Sequence, residues 1–191
     1  MSCFRHDGAL FLIKQSMSNG IEAEKISEFK NPYDENDFQK IFEFSINKYC
    51  GYSDALPINL IVRGLPGSGK TYLSDFSASN ILRCMSIDVD KLQYRGIGKD
   101  SHLEPREDNM DYQIMDQLIK ALTYMGVNAV ISGVFPKLHH IKNLCGYGYN
   151  FVFEFYSDLE ASKRENVNGV SEKVLKLYAE TFEPLMSIVA Q

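Results

Sequence analysis

The feature that most constrains this chain is a short apolar segment that runs directly into a glycine-rich loop. Ile58, Leu60, Ile61 and Val62 form the apolar segment, which is typical of a strand covered on both faces in a parallel sheet. The loop that follows matches the spacing G-x-x-x-x-G-K-[ST] at every fixed position, with the residues Gly64, Leu65, Pro66, Gly67, Ser68, Gly69, Lys70 and Thr71. A helix is expected to begin near the end of this loop.

This loop predicts that the chain binds a nucleoside triphosphate. Glycines let a loop curl with its N–H groups facing inward, and the positive end of the following helix adds to the attraction for phosphate. Lys70 is expected to neutralise the β- and γ-phosphates, and the Thr71 hydroxyl to ligate Mg²⁺. We therefore expect ATP or GTP with Mg²⁺ as ligands. The alternative is a glycine-rich turn that matches by chance, but such a turn does not need the flanking strand and helix.

The rest of the chain alternates strand and helix patterns. Strands are predicted at 82–87, 127–134 and 150–156, and helices at 108–125, after Pro136, after a capping box formed by Ser157 and Glu160, and from near Ser171. This alternation predicts an α/β fold, a P-loop NTPase-type parallel sheet of about four or five strands flanked by helices. Ligands of such sheets bind beyond the carboxyl ends of the strands.

Residues 1–56 are predicted to be a small, mostly helical N-terminal extension, and residues 57–191 the P-loop domain. The best helical pattern in the extension runs from Asp37 to Cys50 and carries one apolar stripe. A stripe of this kind favours packing on the core. A partner-binding or regulatory extension is the alternative.

Composition excludes several classes of function. The 191 residues carry a net charge of −5, which argues against broad coating of nucleic acid but not against binding of one strand end. The four cysteines lack metal-ligand spacing, and no apolar run reaches membrane length. We expect a cytoplasmic protein without a membrane partner, and the oligomeric state stays open.

Two carboxylates, Asp88 and Asp90, follow the second predicted strand. If the chain is still extended there, both side chains point to the same face. One of them can help to hold the metal, and the other can accept the proton of an incoming hydroxyl. The alternative is a helix N-cap followed by a first-turn acid.

Phosphoryl transfer also needs positive charge near the transferred group. Arg164, about two helical turns after the last predicted strand, is the best-placed candidate besides Lys70, and a solvated helix face is its alternative. Lys91 and Arg95 follow the carboxylate pair and are expected to be surface charges. His139 and His140 are also expected to lie on the surface.

Together these motifs resemble the P-loop kinases grouped with polynucleotide 5′-hydroxyl kinases, zeta toxins and NEDD4-binding-protein-2-like proteins. The resemblance covers residues 57 to 186 and includes the loop, the carboxylate pair, Arg164 with the residues Asn166 to Val170, and the segment Tyr178 to Pro184. It implies that Asp90 is the general base and that Arg164 is a lid arginine that contacts the phosphates. Asp88 is then the carboxylate of the pair that we expect on the metal side.

The chain departs from this family at two places. Ser132-Gly133-Val134-Phe135 stands where polynucleotide kinases often carry Asp-Thr-Asn, and Glu165 separates Arg164 from the next asparagine. The third predicted strand therefore supplies no predicted metal ligand, and the resemblance does not select an acceptor. The expected function is an NTP-dependent kinase acting on a hydroxyl, with a polynucleotide 5′-hydroxyl or a nucleotide sugar as candidates. A nucleotide-binding regulatory or scaffold module is the alternative.

Overall fold

The structure is a computed structural model that describes residues 7–15, 20–30, 56–81, 83–89, 110–165 and 169–189, without the side chains of 15 and 110–112. The strands within these residues are β1 (Asp7–Gln15), β2 (Ile21–Phe29), β3 (Ile58–Arg63), β4 (Cys84–Asp88), β5 (Asn128–Gly133) and β6 (Tyr149–Tyr156). The helices are α1 (Lys70–Asn80), α2 (Met110–Tyr124), α3 (Leu138–Asn143), α4 (Leu159–Arg164) and α5 (Glu172–Thr181), followed by a 3-10 turn at Leu185–Ile188.

The strands form one mixed, mostly parallel sheet in the order β2-β1-β6-β3-β5-β4. Strands β3, β4, β5 and β6 are mutually parallel, whereas β1 is antiparallel to both of its neighbours. The sheet therefore has six strands, more than the four or five that the sequence predicts. The carboxyl ends of the four parallel strands meet at one edge, and β3 leads into the glycine-rich loop at that edge.

Helices cover both faces of the sheet. Leu60 and Val62 of β3 pack with Leu73 of α1 on one face. Ile61, which points the other way, packs with Met115 of α2 on the opposite face. Burial on both faces explains why β3 is a nearly continuous apolar run, and this central position holds the loop after β3 between the two helical layers.

The N-terminal residues are strands where the sequence predicts a mostly helical extension. β1 pairs with β6 from Asp7 opposite Tyr156 to Ile13 opposite Asn150, and β2 extends the sheet beyond β1. The apolar residues of β1 are buried on both faces, so they show no alternation that could distinguish a strand from a helix. The predicted helix at Asp37 to Cys50 lies outside the described residues, and the division of the chain after residue 56 stays a prediction.

The helix ends refine the sequence-based boundaries. Helix α5 begins next to Ser171, as predicted, and Ser171 is its N-cap: the Ser171 hydroxyl accepts a hydrogen bond from Val174 N–H at 3.4 Å. Helix α4 is capped by Asp158 instead of Ser157, because the Asp158 carboxylate accepts a bond from Ala161 N–H at 2.7 Å. In the ranges that the structure describes, no helix combines the length and the apolar character needed to cross a membrane.

Candidate active site

The glycine-rich loop joins β3 to α1 and encloses the side chain of Lys70. Lys70 is the first residue of α1 and only 8% exposed. Its Nζ donates a hydrogen bond to the carbonyl oxygen of Leu65 at 2.8 Å, so the ammonium group is held inside the curve of the loop. The helix starts directly behind it, and the first turn of a helix favours anions.

The loop depends on glycine at two positions with left-handed backbone. Gly67 has φ of +84° and Gly69 has φ of +89°, a region that side-chain-bearing residues rarely adopt. A Cβ placed on Gly67 would lie 2.9 Å from the carbonyl oxygen of Glu165. The glycine therefore also permits close contact between the loop and the end of α4, where Arg164 is located.

Two predicted metal-side residues, Thr71 and Asp88, meet at the carboxyl edge of the sheet. Thr71 Oγ1 donates a hydrogen bond to Asp88 Oδ2 at 3.3 Å, which joins the start of α1 to the end of β4. Both side chains offer oxygen, the ligand type that Mg²⁺ prefers, and Mg²⁺ usually completes its shell with water and phosphate. Among the described residues no group of three or more His, Cys, Asp or Glu can hold a metal. The binding of Mg²⁺ by this pair stays a prediction.

Asp90, the predicted general base, lies outside the described residues. The chain is no longer extended beyond β4, because Val89 is already helical and buried. The alternation that would place Asp88 and Asp90 on one face therefore stops at Asp88. The role of Asp90 stays a prediction.

Arg164 is the last residue of α4 and its side chain is exposed. The neighbouring Lys163 is engaged in ion pairs with Glu160 at 3.1 Å and Glu172 at 2.7 Å. The next residue, Glu165, is buried against the loop at Gly67. The structure thus places the backbone of Arg164 near the glycine-rich loop, while contact of its side chain with phosphate stays a prediction.

A buried ion pair lies directly beneath the loop, between Arg63 of β3 and Glu154 of β6. Arg63 Nη1 is 3.5 Å from Glu154 Oε2, and both side chains are at most 1% exposed. Burial lowers the pKa of Arg63 to about 10, and the carboxylate of Glu154 opposes this effect. Burial also raises the pKa of Glu154, against the influence of Arg63 and of the Leu185 N–H.

The same arginine anchors the segment after α5. Arg63 Nη2 donates to the carbonyl oxygens of Glu183 at 3.0 Å and Pro136 at 3.2 Å, and its guanidinium lies 4.2 Å from the centre of the Phe182 ring. Glu154 Oε2 accepts a hydrogen bond from Leu185 N–H at 3.0 Å. The end of β3 and the segment after α5 are therefore held by one buried polar cluster.

A cavity of about 330 Å³ opens between this segment and the loop. Leu65 contributes the loop side, and Phe155 and Phe182 contribute aromatic surface. Ser157 and Asp158 add polar groups to the lining, so the cavity is mixed in character.

The end of β5 is one of the two places where the sequence departs from the family that it resembles. Ser132 is buried and in register with Asp88 of β4, so the neighbour of that carboxylate is a hydroxyl and not a second acid. Phe135 is fully buried with φ of +43°. His140 is buried, contrary to the surface position that the sequence predicts, and burial lowers its pKa to about 4, with His139 and Arg63 acting in the same direction.

The sequence reasoning missed Arg63, Glu154 and Ser132. A charged residue inside an apolar strand was the available signal for the first two, since NFVFEFY places Glu154 between phenylalanines and Arg63 closes the apolar run of β3. A buried charge of this kind needs a partner. Pairing the two required the knowledge that β3 and β6 are adjacent.

Comparison with solved structures finds a related fold in a chain of the Pnkp1/Rnl/Hen1 RNA repair complex. The TM-score is 0.55 and the sequence identity 16%. The match covers 66% of this chain and 44% of that chain, so it spans less than half of the neighbour's length. No family model and no curated protein sequence matches the chain. The likeness therefore supports the fold, a mostly parallel α/β sheet flanked by helices.

Proposed function

We propose that this chain is a kinase that transfers the γ-phosphoryl group of ATP or GTP to a hydroxyl, with the 5′-hydroxyl of a nucleic-acid end as the preferred candidate acceptor. The contact of Thr71 with Asp88 at 3.3 Å, beside a loop that encloses Lys70, is the observation that carries the proposal. The fold similarity to a chain from an RNA repair complex favours a nucleic-acid end over a nucleotide sugar. The resemblance of the sequence motifs to polynucleotide kinases supports the same choice.

Lys70 and Arg164 supply the positive charge in this mechanism. When a triphosphate enters the loop, the Lys70 ammonium exchanges the Leu65 carbonyl for oxygens of the β- and γ-phosphates. Arg164 turns from solvent onto the γ-phosphate, because its helix ends where the chain touches Gly67. Both groups then stabilise the charge on the transferred phosphoryl group.

Thr71 and Asp88 would hold Mg²⁺, which neutralises charge on the phosphates when it is bound. Asp90 accepts the proton of the acceptor hydroxyl while that oxygen forms its bond to the γ-phosphorus and the bond to the bridging oxygen of the leaving diphosphate breaks. The nucleobase has room in the cavity lined by Leu65, Phe155 and Phe182. This assignment leaves the choice between ATP and GTP open.

A nucleotide-binding regulatory or scaffold module is the second candidate, and one observation favours it. β5 ends in Ser132-Gly133, so the strand between β3 and β4 brings no carboxylate to the site. A binding module needs the loop but not the full set of catalytic groups. Nucleotide binding without transfer would distinguish this candidate from the kinase.

The test is transfer of radiolabelled γ-phosphate to a panel of acceptors: 5′-hydroxyl RNA and DNA oligonucleotides, tRNA and uridine-diphosphate sugars. We expect labelling of the 5′-hydroxyl oligonucleotides by the wild-type chain, and a loss of at least about 100-fold in Lys70→Ala, the effect of removing one electrostatic stabiliser. Lys176→Ala is the matched control, since Lys176 is an exposed lysine of α5. Tight nucleotide binding with no labelled acceptor would support the binding module.

A further inference from the structure

The hydroxyl group of Ser132 is buried and has no hydrogen-bond partner among the residues that the structure describes. Ser132 is 1% exposed and lies one residue before the end of β5. Native proteins rarely leave a buried hydroxyl unsatisfied, and such a group indicates a water, an ion or a ligand that completes it. The hydroxyl of Ser132 is informative because it lies at the carboxyl edge of a parallel sheet, where ligands bind.

The strand register places Ser132 in the same layer as the Thr71–Asp88 pair. Ser132 is the partner of Asp88 on β4, and residues in register on adjacent parallel strands point to the same face of the sheet. That face is the one covered by α1, because the hydroxyls of Ser86, two residues before Asp88, and Ser74 of α1 are hydrogen-bonded at 3.1 Å. Val130, two residues before Ser132, also packs in the cluster that contains Leu73 of α1.

We infer that Ser132 is a positioning residue of the cation site, where it holds a water ligand of the Mg²⁺ that accompanies the nucleotide. The inference rests on the proposed function and deepens it. Within the described residues, Thr71 and Asp88 supply two side-chain ligands, and Mg²⁺ bound to one or two protein ligands usually keeps several waters. A hydroxyl that has spare hydrogen-bonding capacity and lies beside Asp88 can accept a bond from one of these waters and so fix the ion.

This arrangement explains how the site can do without a second acid. A carboxylate at position 132 would stand in register with Asp88, and two adjacent negative charges would favour a resident cation even without nucleotide. A neutral hydroxyl at position 132 adds no charge to that of Asp88. The cation is then retained chiefly when phosphates supply the remaining charge.

The experiment measures how strongly Mg²⁺ tightens binding of a fluorescent, non-hydrolysable ATP analogue to the full chain. The ratio of the dissociation constant of the analogue in EDTA to that in saturating Mg²⁺ reports the contribution of the metal to binding. This measurement does not require catalytic activity. In Ser132→Ala we expect this ratio to fall by about 10-fold or more, as for other groups that orient metal ligands, with the EDTA affinity unchanged. The unliganded variant should melt at the same or a higher temperature than wild type, because an unsatisfied hydroxyl has been removed.

Ser77→Ala is the matched control. Ser77 lies on α1, is fully buried, and its hydroxyl also has no partner among the described residues, but it lies more than one turn beyond Thr71. We expect an unchanged Mg²⁺ ratio in this variant. An unchanged ratio in Ser132→Ala, or equal losses in both variants, overturns the role of Ser132 while leaving nucleotide binding by the wild type intact. A wild-type chain that binds no nucleotide in either condition overturns the proposed function together with this inference.

Discussion

Arg63 and Glu154 form an ion pair beneath the glycine-rich loop, 3.5 Å apart between Nη1 and Oε2 and shielded from solvent. Arg63 is the residue before the loop, and both partners also bind the C-terminal segment through Glu183 and Leu185. The loop, the neighbouring strand and the wall of the cavity therefore share one electrostatic anchor. Removal of either side chain leaves the charge of the other buried without its ion-pair partner.

The first prediction tests this anchor. Glu154→Ala is expected to lower the free energy of unfolding by about 3–5 kcal/mol, because the Arg63 guanidinium stays buried without its carboxylate. Urea unfolding followed by circular dichroism measures the change. Glu180→Ala is the control, since Glu180 belongs to an exposed pair with Lys176 and should change stability by no more than about 0.5 kcal/mol. Similar stabilities of both variants would show that the buried pair contributes little.

The second prediction concerns pH. His140 is buried with its pKa lowered to about 4. Its imidazole therefore binds a proton more readily in the unfolded chain than in the folded chain. The stabilising contribution of neutral His140 is complete above its ordinary pKa of about 6.5. It is lost as pH falls towards 4, by at most about 1.4 kcal/mol for each pH unit.

Thermal unfolding between pH 4 and 7 measures this dependence, and His140→Asn should flatten it while keeping an acceptor for the Lys137 N–H, now 3.4 Å from His140 Nδ1. His139→Asn is the comparison variant: His139 is exposed on the same helix and is a smaller cause of the lowered pKa of His140 than burial, so most of the pH dependence should remain. A wild-type slope retained in His140→Asn would assign the pH dependence to other groups.

The third prediction concerns Arg164. Arg164→Ala should lower turnover more than it weakens nucleotide binding, because a lid arginine acts mainly in the transition state. The comparison is with Lys163→Ala on the same helix, whose side chain is directed into ion pairs with Glu160 and Glu172. Steady-state kinetics on the acceptor identified by the panel provide the measurement. Equal turnover of the two variants would show that Arg164 is only a solvated residue on the surface of its helix.

The fourth prediction separates the two carboxylates. Asp90→Asn should reduce transfer by about 10²- to 10⁴-fold, the range for a positioned acid or base, with nucleotide affinity little changed. Asp88→Asn removes the charge that faces Thr71, so added Mg²⁺ should restore part of its activity. Transfer rates of both variants, measured over a series of Mg²⁺ concentrations, distinguish the two roles. Wild-type transfer by Asp90→Asn on an established acceptor would falsify the proposed mechanism.

Local sequence determined much of the parallel core. The strand, loop and helix around Lys70 could be predicted because the spacing of glycines, lysine and threonine is a local requirement of the turn. β5, β6 and α5 follow their predicted segments closely because apolar periodicity and the Ser171 cap act over a few residues. Even the α4 cap differs by only one residue, from Ser157 to Asp158.

Tertiary structure decided what depends on distant partners. β1 is a strand because it pairs with β6, on residues more than a hundred positions later in the chain, and no local pattern records that pairing. The same holds for Arg63 with Glu154, for Thr71 with Asp88, and for Ser132 beside Asp88. The sequence by itself determined which chemical groups stand at the strand ends. Only the order and register of the strands decided which of them meet, because the packing of the whole sheet selects the pairing of each strand.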